Sequence, residues 1–291
     1  MTFAAHAARG EGKEAMFRVA EKSDAAQLTG LFSAMFGDPE PVAANIFEKF
    51  AGYENVFLAE EEGQVIASLC AVPVTLQGRK GAYYYGVCTR PERRSKGVMT
   101  ELMDYARSQL LLRGWSFAVL IPASASLFDF YAQRGFQKAF GLREFTRPIR
   151  RNLWAQADFD SVTAKGLEAL RRRFAPDAVF LNNSGYILVL TDLYTLGGTI
   201  VSSEDGYGIY FKKDDQTLDF VELFAEGDRA AEKLMEAARD KTGAEQAHIT
   251  LGAQQKLFLG EGVARDYGMI QFFDRPFDVQ EGYMRLMLDM E

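Results

Sequence analysis

From Arg90 to Met103 the chain reads Arg-Pro-Glu-Arg-Arg-Ser-Lys-Gly-Val-Met-Thr-Glu-Leu-Met, a basic, glycine-bearing loop that runs from an apolar strand into an amphipathic helix. The chemistry such a junction offers is anion binding. The first N–H groups of a helix have no partner inside it, and the positive end of the helix dipole lies over them, so a pyrophosphate can be held by backbone alone. Gly97 lets a ligand approach the chain closely, and Arg94 and Lys96 add charge. Downstream, Leu127-Phe128-Asp129-Phe130-Tyr131 and Gly135-Phe136 form a second cluster, in which the Tyr131 phenol can donate a hydrogen bond or a proton.

Periodicity places the elements that must position these residues. Ala82 to Thr89 reads as the strand before the loop, and the helix after it buries Met99, Leu102, Met103, Ala106 and Leu110 before Gly114 caps it. Upstream come a short strand at Phe17–Ala20, a helix carrying Leu28, Leu31, Phe32, Met35 and Phe36, a second helix over Val42–Phe50, and a hairpin of Asn55–Glu60 with Gln64–Leu76. Downstream, Phe117–Ile121 is a buried strand, Ala125–Arg134 a helix, and Phe136 onward a strand reaching toward Pro148.

A chain of 291 residues exceeds a typical single domain, and the reading divides it into an extension over 1–15 expected to be disordered, with Met16 an alternative start, a first domain over 16–149, a linker over 150–163 and a second domain over 164–291. In the second domain a helix over Ala164–Phe174 precedes strands at Asn183–Leu190, Gly198–Ser202, Gly206–Lys213 and Thr217–Ala225, a helix over Gly227–Thr242 and a strand at His248–Leu251. Hairpin strands, helix, strand repeat the order of the first half, a weak internal echo. The basic loop has no counterpart there: Glu226-Gly227-Asp228 passes directly into the helix, and carboxylates at a helix start repel a phosphate. No anion site is expected in the second half, which would complete the core, wall a pocket or support a homo-oligomer.

Composition narrows the partners. A net charge of -7 and a pI near 5.1 argue against nucleic acid, whose phosphates demand a basic face. No apolar run approaches a membrane span, and the first residues lack the apolar core of a signal peptide. Cys70 and Cys88 sit in apolar strand segments, so a disulfide framework is not expected and a reducing cytoplasm fits. His6 and His248 form no ligand cluster, and no metal is expected. Arg171-Arg172-Arg173 near a helix end reads as a partner of the helix dipole and solvent.

Taken together, Pro91-x-x-Arg94-x-x-Gly97 at a strand-to-helix junction and the later Tyr131-x-x-x-Gly135-Phe136 resemble the acyl-CoA motifs of the GNAT (Gcn5-related) N-acetyltransferases. The likeness covers about Phe17 to Arg147. It implies an α/β (α+β) fold with a mixed, mostly antiparallel sheet flanked by helices, and acetyl-CoA as co-substrate. Carried over, the pyrophosphate would lie on Arg94, Ser95, Lys96, Gly97, Val98, Met99 and Thr100, and the pantetheine arm along Val87, Cys88 and Thr89. Two positions depart from the family pattern: Met99 replaces the last small residue of the loop, and Ser124, which the resemblance also places at the cofactor, stands where an asparagine is often found. A Gly-x-Met ending resembles the tandem acetyltransferases of the enhanced-intracellular-survival type, in which a degenerate GNAT domain follows a complete one; no third domain is expected.

The implied reaction moves an acetyl group directly to an amine of a small molecule or peptide, with Tyr131 as the acid beside the leaving sulfur and a backbone N–H of Val87–Thr89 as oxyanion donor, exposed by a bulge or splayed strand end. No base can be named; Glu40, Glu54, Tyr83, Tyr84 and Tyr85 flank the acceptor side, and strand alternation sets Tyr84 opposite the other two tyrosines. Cys88 reads as a small core residue rather than an acyl carrier. The acidic balance favours a cationic acceptor such as an amino sugar or polyamine. Two rivals remain: a non-catalytic acyl-CoA sensor or scaffold, and a nucleotide-binding module.

Overall fold

The computed structural model describes residues 15–159, 162–280 and 282–288, so the extension expected at 1–15 lies, apart from Ala15, outside the described residues. Two compact units divide them: residues up to Gln137 together with Ile270–Phe277, and Lys138–Met269 together with residues from Asp278 onward.

In the first unit β1 (Met16–Val19), α1 (Ala25–Phe36), α2 (Glu40–Asn45) and a π-helical continuation over Ile46–Ala51 lead to β2 (Val56–Glu61), β3 (Gln64–Leu76) and β4 (Arg79–Thr89). Then come α3 (Val98–Leu112), β5 (Phe117–Leu120) and α4 (Ala125–Ala132). The sheet runs β1-β2-β3-β4-β5, antiparallel throughout except for the parallel pair β4 and β5. Leu28, Leu31 and Phe32, three and four residues apart on α1, are buried against it, and Gly37 ends the helix in the left-handed conformation at φ 83°.

The regular ladder fails once, in β4. Ser68 faces Cys88 and Cys70 faces Tyr85, so where β3 passes only Leu69, β4 passes Gly86 and Val87. The extra residue is a β-bulge, and Gly86 takes it at φ 59°. No side chain fits there, since a Cβ would stand 2.6 Å from Cε2 of Phe32. On its other edge β4 pairs with β5 only from Gly81 to Tyr83. Beyond Tyr83 the two parallel strands part.

The second unit contains β6 (Gln137–Pro148), β7 (Asp158–Phe159), α5 (Ala164–Phe174), β8 (Phe180–Leu181), α6 (Asn183–Thr195), β9 (Thr199–Ser203), β10 (Gly206–Lys212), β11 (Thr217–Ala225), α7 (Asp228–Thr242), β12 (Gln246–Gly252) and most of β13 (Val263–Phe272). Its strands run β13-β6-β12-β11-β10-β9-β7. As β4 and β5 flank α3, so the parallel strands β11 and β12 flank α7, which gives the internal echo a structural form. Leu234 and Met235 of α7 pack with Leu218 and Phe220 of β11 and Ile249 of β12 in one apolar cluster.

Several sequence expectations change. The units divide at Gln137 rather than near 149, because β6 is laddered to β12 from Leu142 to Pro148 and so is part of the second sheet. Within the expected linker over 150–163, Asp158 and Phe159 pair with Ser202 and Val201 of β9. Asn183–Leu190 is helix, not strand: Oδ1 of Asn182 accepts from Gly185 N at 2.8 Å as an N-cap, and Tyr186, Val189, Leu190 and Leu193 are buried at helical spacing. β13 was not foreseen at all.

Arg171 does not face solvent. It lies 1% exposed beside the fully buried Glu222, donating to its two carboxylate oxygens at 3.0 and 2.5 Å. The hydroxyls of Tyr207 and Tyr283 donate to the same carboxylate at 2.7 and 2.9 Å, and Arg171 also donates to the carbonyl of Arg285 at 2.7 Å. Such a group is costly to desolvate, and only complete hydrogen bonding makes it tolerable.

Two stability measurements follow. Gly86→Ala forces a left-handed backbone on an L-residue and a clash with Phe32, and should lower denaturant stability by about 2 kcal/mol or more. Arg171→Met leaves Glu222 buried and unpaired and should cost about 3–5 kcal/mol, part of which returns in the double variant Arg171→Met, Glu222→Leu.

Candidate functional site

Residues 90–97 bridge β4 and α3, and their conformation is set by two left-handed residues, Ser95 at φ 60° and Gly97 at φ 83°. Gly97 occupies the N-cap of α3 without a side-chain cap, and among the described residues no hydrogen bond to the amides of Val98, Met99 or Thr100 is formed. A 15-residue helix thus presents its positive end and its first-turn donors to the outside. Arg94 folds back across the loop, its Nε donating to the carbonyl of Thr89 at 3.1 Å and its Nη2 reaching Sδ of Met35 at 3.3 Å. Arg93 is neutralised by Glu61 of β2 at 2.6 Å.

This junction opens into a cavity of about 630 Å³. β4 beyond the bulge contributes Val87, Cys88 and Thr89; the loop contributes Arg94, Ser95 and Gly97; the first turn of α3 contributes Val98, Met99 and Thr100; and α4 contributes Tyr131. Of the twelve residues expected to bind the cofactor or to act on it, two are not in the lining. The Lys96 side chain is exposed to solvent, and Ser124, the N-cap of α4, is exposed with its Oγ 3.0 Å from Oγ of Ser126.

Six contributors were not among the site residues selected from sequence. Met35 and Phe36 come from the end of α1, Arg93 from the loop, and Leu127, Phe130 and Arg134 from α4 and the turn after it. Arg134 is the most informative of these: Nε and Nη2 donate to Oγ1 of Thr100 at 3.0 and 2.6 Å, Nη1 to the Phe130 carbonyl at 2.5 Å, and its guanidinium lies 3.4 Å from the centroid of the Phe130 ring. It ties the turn after α4 to the first turn of α3. Its place directly before Gly135-Phe136 was the available signal.

Tyr131 is 7% exposed, with its ring edge-on to Phe130 and Phe136. Burial pushes its phenol up to about 12, the nearby Arg134 guanidinium offsetting a part. The group is therefore a neutral O–H donor at any physiological pH. Cys88 is buried, its Sγ 3.3 Å from Oγ of Ser68, and desolvation raises its thiol, partly countered by that contact, so it is a weak nucleophile.

The base candidates fare differently. Glu40 and Glu54 are exposed and neither lines the cavity. Tyr83 and Tyr85 lie together, 5.6 Å between ring centroids, whereas Tyr84 packs on Phe136 at 6.0 Å, as the strand alternation requires. Tyr84 is buried with an unpartnered hydroxyl, and desolvation drives its phenol far above the usual range. In the second unit only Glu226 and Gly227 separate β11 from α7, and Oδ1 of Asp228 accepts from the amide of Phe258 at 2.8 Å. Among the described residues no cluster of three metal-ligating side chains occurs, and no helix is long and apolar enough to cross a membrane.

Comparison with known proteins agrees with this geometry. No curated protein matches the chain by sequence. Among solved structures, a probable N-acyltransferase from Enterococcus faecalis V583 is similar over 92% of this chain and 73% of its own, with 16% identity and a TM-score of 0.69. Eis1 from Mycobacterium abscessus is similar over 89% of this chain and 74% of its own, at 17% identity and a TM-score of 0.65. A tandem GNAT protein from the clavulanic acid biosynthesis pathway covers 91% of this chain over 100% of its own length, at 13% identity and a TM-score of 0.53. The family model of the acetyltransferase (GNAT) domain matches residues 16–139, the stretch that holds the uncapped helix, the bulged strand and Tyr131.

Proposed function

We propose that the chain is an acetyl-CoA-dependent N-acetyltransferase that moves an acetyl group directly to a primary amine of a small molecule or peptide, with one acyl-CoA site, in the first unit. The observation that carries this reading is the convergence on one cavity of an uncapped helix start, a strand freed from its neighbour by a bulge, and a buried neutral phenol. Bound there, acetyl-CoA supplies an activated thioester. The amides of Val98, Met99 and Thr100 hold the pyrophosphate, with Arg94 adding charge, and Val87 to Thr89 offer backbone groups to the pantetheine arm.

Where β4 parts from β5, the freed amides also stand ready as donors to an oxyanion. Tyr131 acts on the leaving sulfur. Against a thiol pKa of about 8.5, a phenol near its ordinary 10 would give up its proton at a cost of about 2 kcal/mol, but at about 12 the cost rises to about 5 kcal/mol. Hydrogen-bond donation to the developing thiolate is the easier role, with the proton arriving from the attacking nitrogen. The two buried free thiols, Cys70 and Cys88, fit a reducing cytoplasm. The second unit, with α7 closed onto β11 and Asp228 at its start, has no place for a second pyrophosphate.

One observation favours the rival reading of a non-catalytic acyl-CoA sensor: no carboxylate or histidine is among the described residues lining the cavity. Thermal melting and turnover separate the two. CoA and acetyl-CoA at about 100 times Kd should stabilise the chain by about 2.7 kcal/mol, while ATP and NAD should not; stabilisation by ATP alone rejects the proposal in favour of a nucleotide module. Tyr131→Phe should lower kcat by about 10²-fold with acetyl-CoA binding retained. Because burial keeps the Tyr131 phenol protonated up to about pH 12, kcat of the unaltered enzyme should show no alkaline fall below about pH 11, and a fall near pH 9 would count against its role.

A further inference from the structure

Three arginines line the donor cavity, and two have their parts already. Glu61 neutralises Arg93 at 2.6 Å, and Arg94 is folded across the loop with Nε on the Thr89 carbonyl at 3.1 Å. Arg134 is half-buried, and among the described residues no carboxylate hydrogen-bonds to it. Asp104 of α3 acts on it only through its field. Its partners are instead a hydroxyl, a carbonyl and the face of a ring: Oγ1 of Thr100, the Phe130 carbonyl and the Phe130 side chain.

Those partners fix the side chain without using it up. A guanidinium carries five N–H donors in a planar fork. Nε and Nη2 each spend one on Thr100 and Nη1 spends one on Phe130, which leaves an N–H on Nη1 and another on Nη2 with no hydrogen bond among the described residues. Joining a hydroxyl to a carbonyl needs no charge, and a neutral amide could do it. What the arginine adds is a cation that no acid neutralises, already held in one conformation, so that an anion binding to it has little further ordering to impose.

Its position suits an anion as well. Thr100 lies in the first turn of α3, and its amide is among those left open at the helix start. Because Oγ1 and N belong to the same residue and Nη2 stands 2.6 Å from Oγ1, the positive charge reaches within about 6 Å of that amide. Resting on the acetyltransferase reading above, we propose that Arg134 is a further binding residue of the donor site, whose free N–H groups take a phosphate oxygen of acetyl-CoA. It makes the cavity select the phosphorylated carrier over a bare pantetheine thioester. CoA offers such oxygens on its pyrophosphate and on its ribose 3′-phosphate, two sources that one missing phosphate tells apart.

The test measures Kd for CoA, 3′-dephospho-CoA and pantetheine on the full chain, with Arg134→Gln and Arg134→Lys beside the unaltered protein. Arg134→Gln should weaken CoA about 10- to 100-fold, the range of a hydrogen bond to a charged group, while pantetheine, with no phosphate to lose, stays within about 2-fold. Arg134→Lys keeps the charge without the fork and should lose less, about 3-fold or more. An equal loss with CoA and 3′-dephospho-CoA assigns the contact to the pyrophosphate, and a loss with CoA alone assigns it to the 3′-phosphate; either supports the proposal. An unchanged Kd for CoA in Arg134→Gln overturns it, as does an equal loss for CoA and pantetheine, the mark of a cavity wall that has merely slipped. If Arg134→Gln does not fold, Arg134→Lys decides by the same two comparisons. Absence of CoA binding to the unaltered chain overturns the donor reading and this assignment with it.

Discussion

The first unit depends on one irregularity, the extra residue that β4 accommodates between Tyr85 and Cys88. A regular strand would continue its ladder with β5 and bury every amide in it. The bulge turns β4 away instead, and that departure brings Val87, Cys88 and Thr89 into the cavity lining and sets the direction in which the chain enters the loop to α3. Gly86 is the residue that makes it possible, since both its backbone angle and the ring of Phe32 exclude a side chain.

Around that point the packing and the chemistry are hard to separate. Phe32 fills the space over Gly86 and links Phe36 at the cavity to Phe47 and Tyr85, so the wall of the site is also the core of the unit. On the other flank Arg134 joins the turn after α4 to Thr100, fixing the helix start whose amides are at stake. Phe32 and Arg134 both hold the cavity wall in place, the one against the bulge and the other against the first turn of α3.

Much of the first unit was legible because local signals there are strong. The run from Arg90 to Met103 combines a strand end, turn residues and an amphipathic helix, and ten of the twelve residues selected from sequence meet in one cavity. Lys96 and Ser124 were selected by their place in a motif, and each faces solvent, because position along the chain does not determine which way a side chain points. Met35, Phe36 and Arg134 were missed since they reach the cavity through folding at a distance. In the second unit the apolar run after Asn182 resembled a strand, and only the capping side chain and the spacing of Tyr186, Val189 and Leu190 distinguish the helix. Arg171 was misplaced for a related reason: three consecutive arginines look solvated, yet one points inward to a carboxylate fifty-one residues away.

The inclusion of Ile270–Phe277 in the first unit bears on the history and handling of the chain. The segment that bears the family motifs ends more than a hundred residues earlier, yet Phe273 donates its amide to Ser116 just before β5, the carbonyl of Phe273 receives Arg107, and Phe277 packs on Phe117. A ribosome must have made residue 277 before the first unit can close its sheet. A fragment cut at the end of the motif-bearing stretch would lose these contacts to its own α3 and β5.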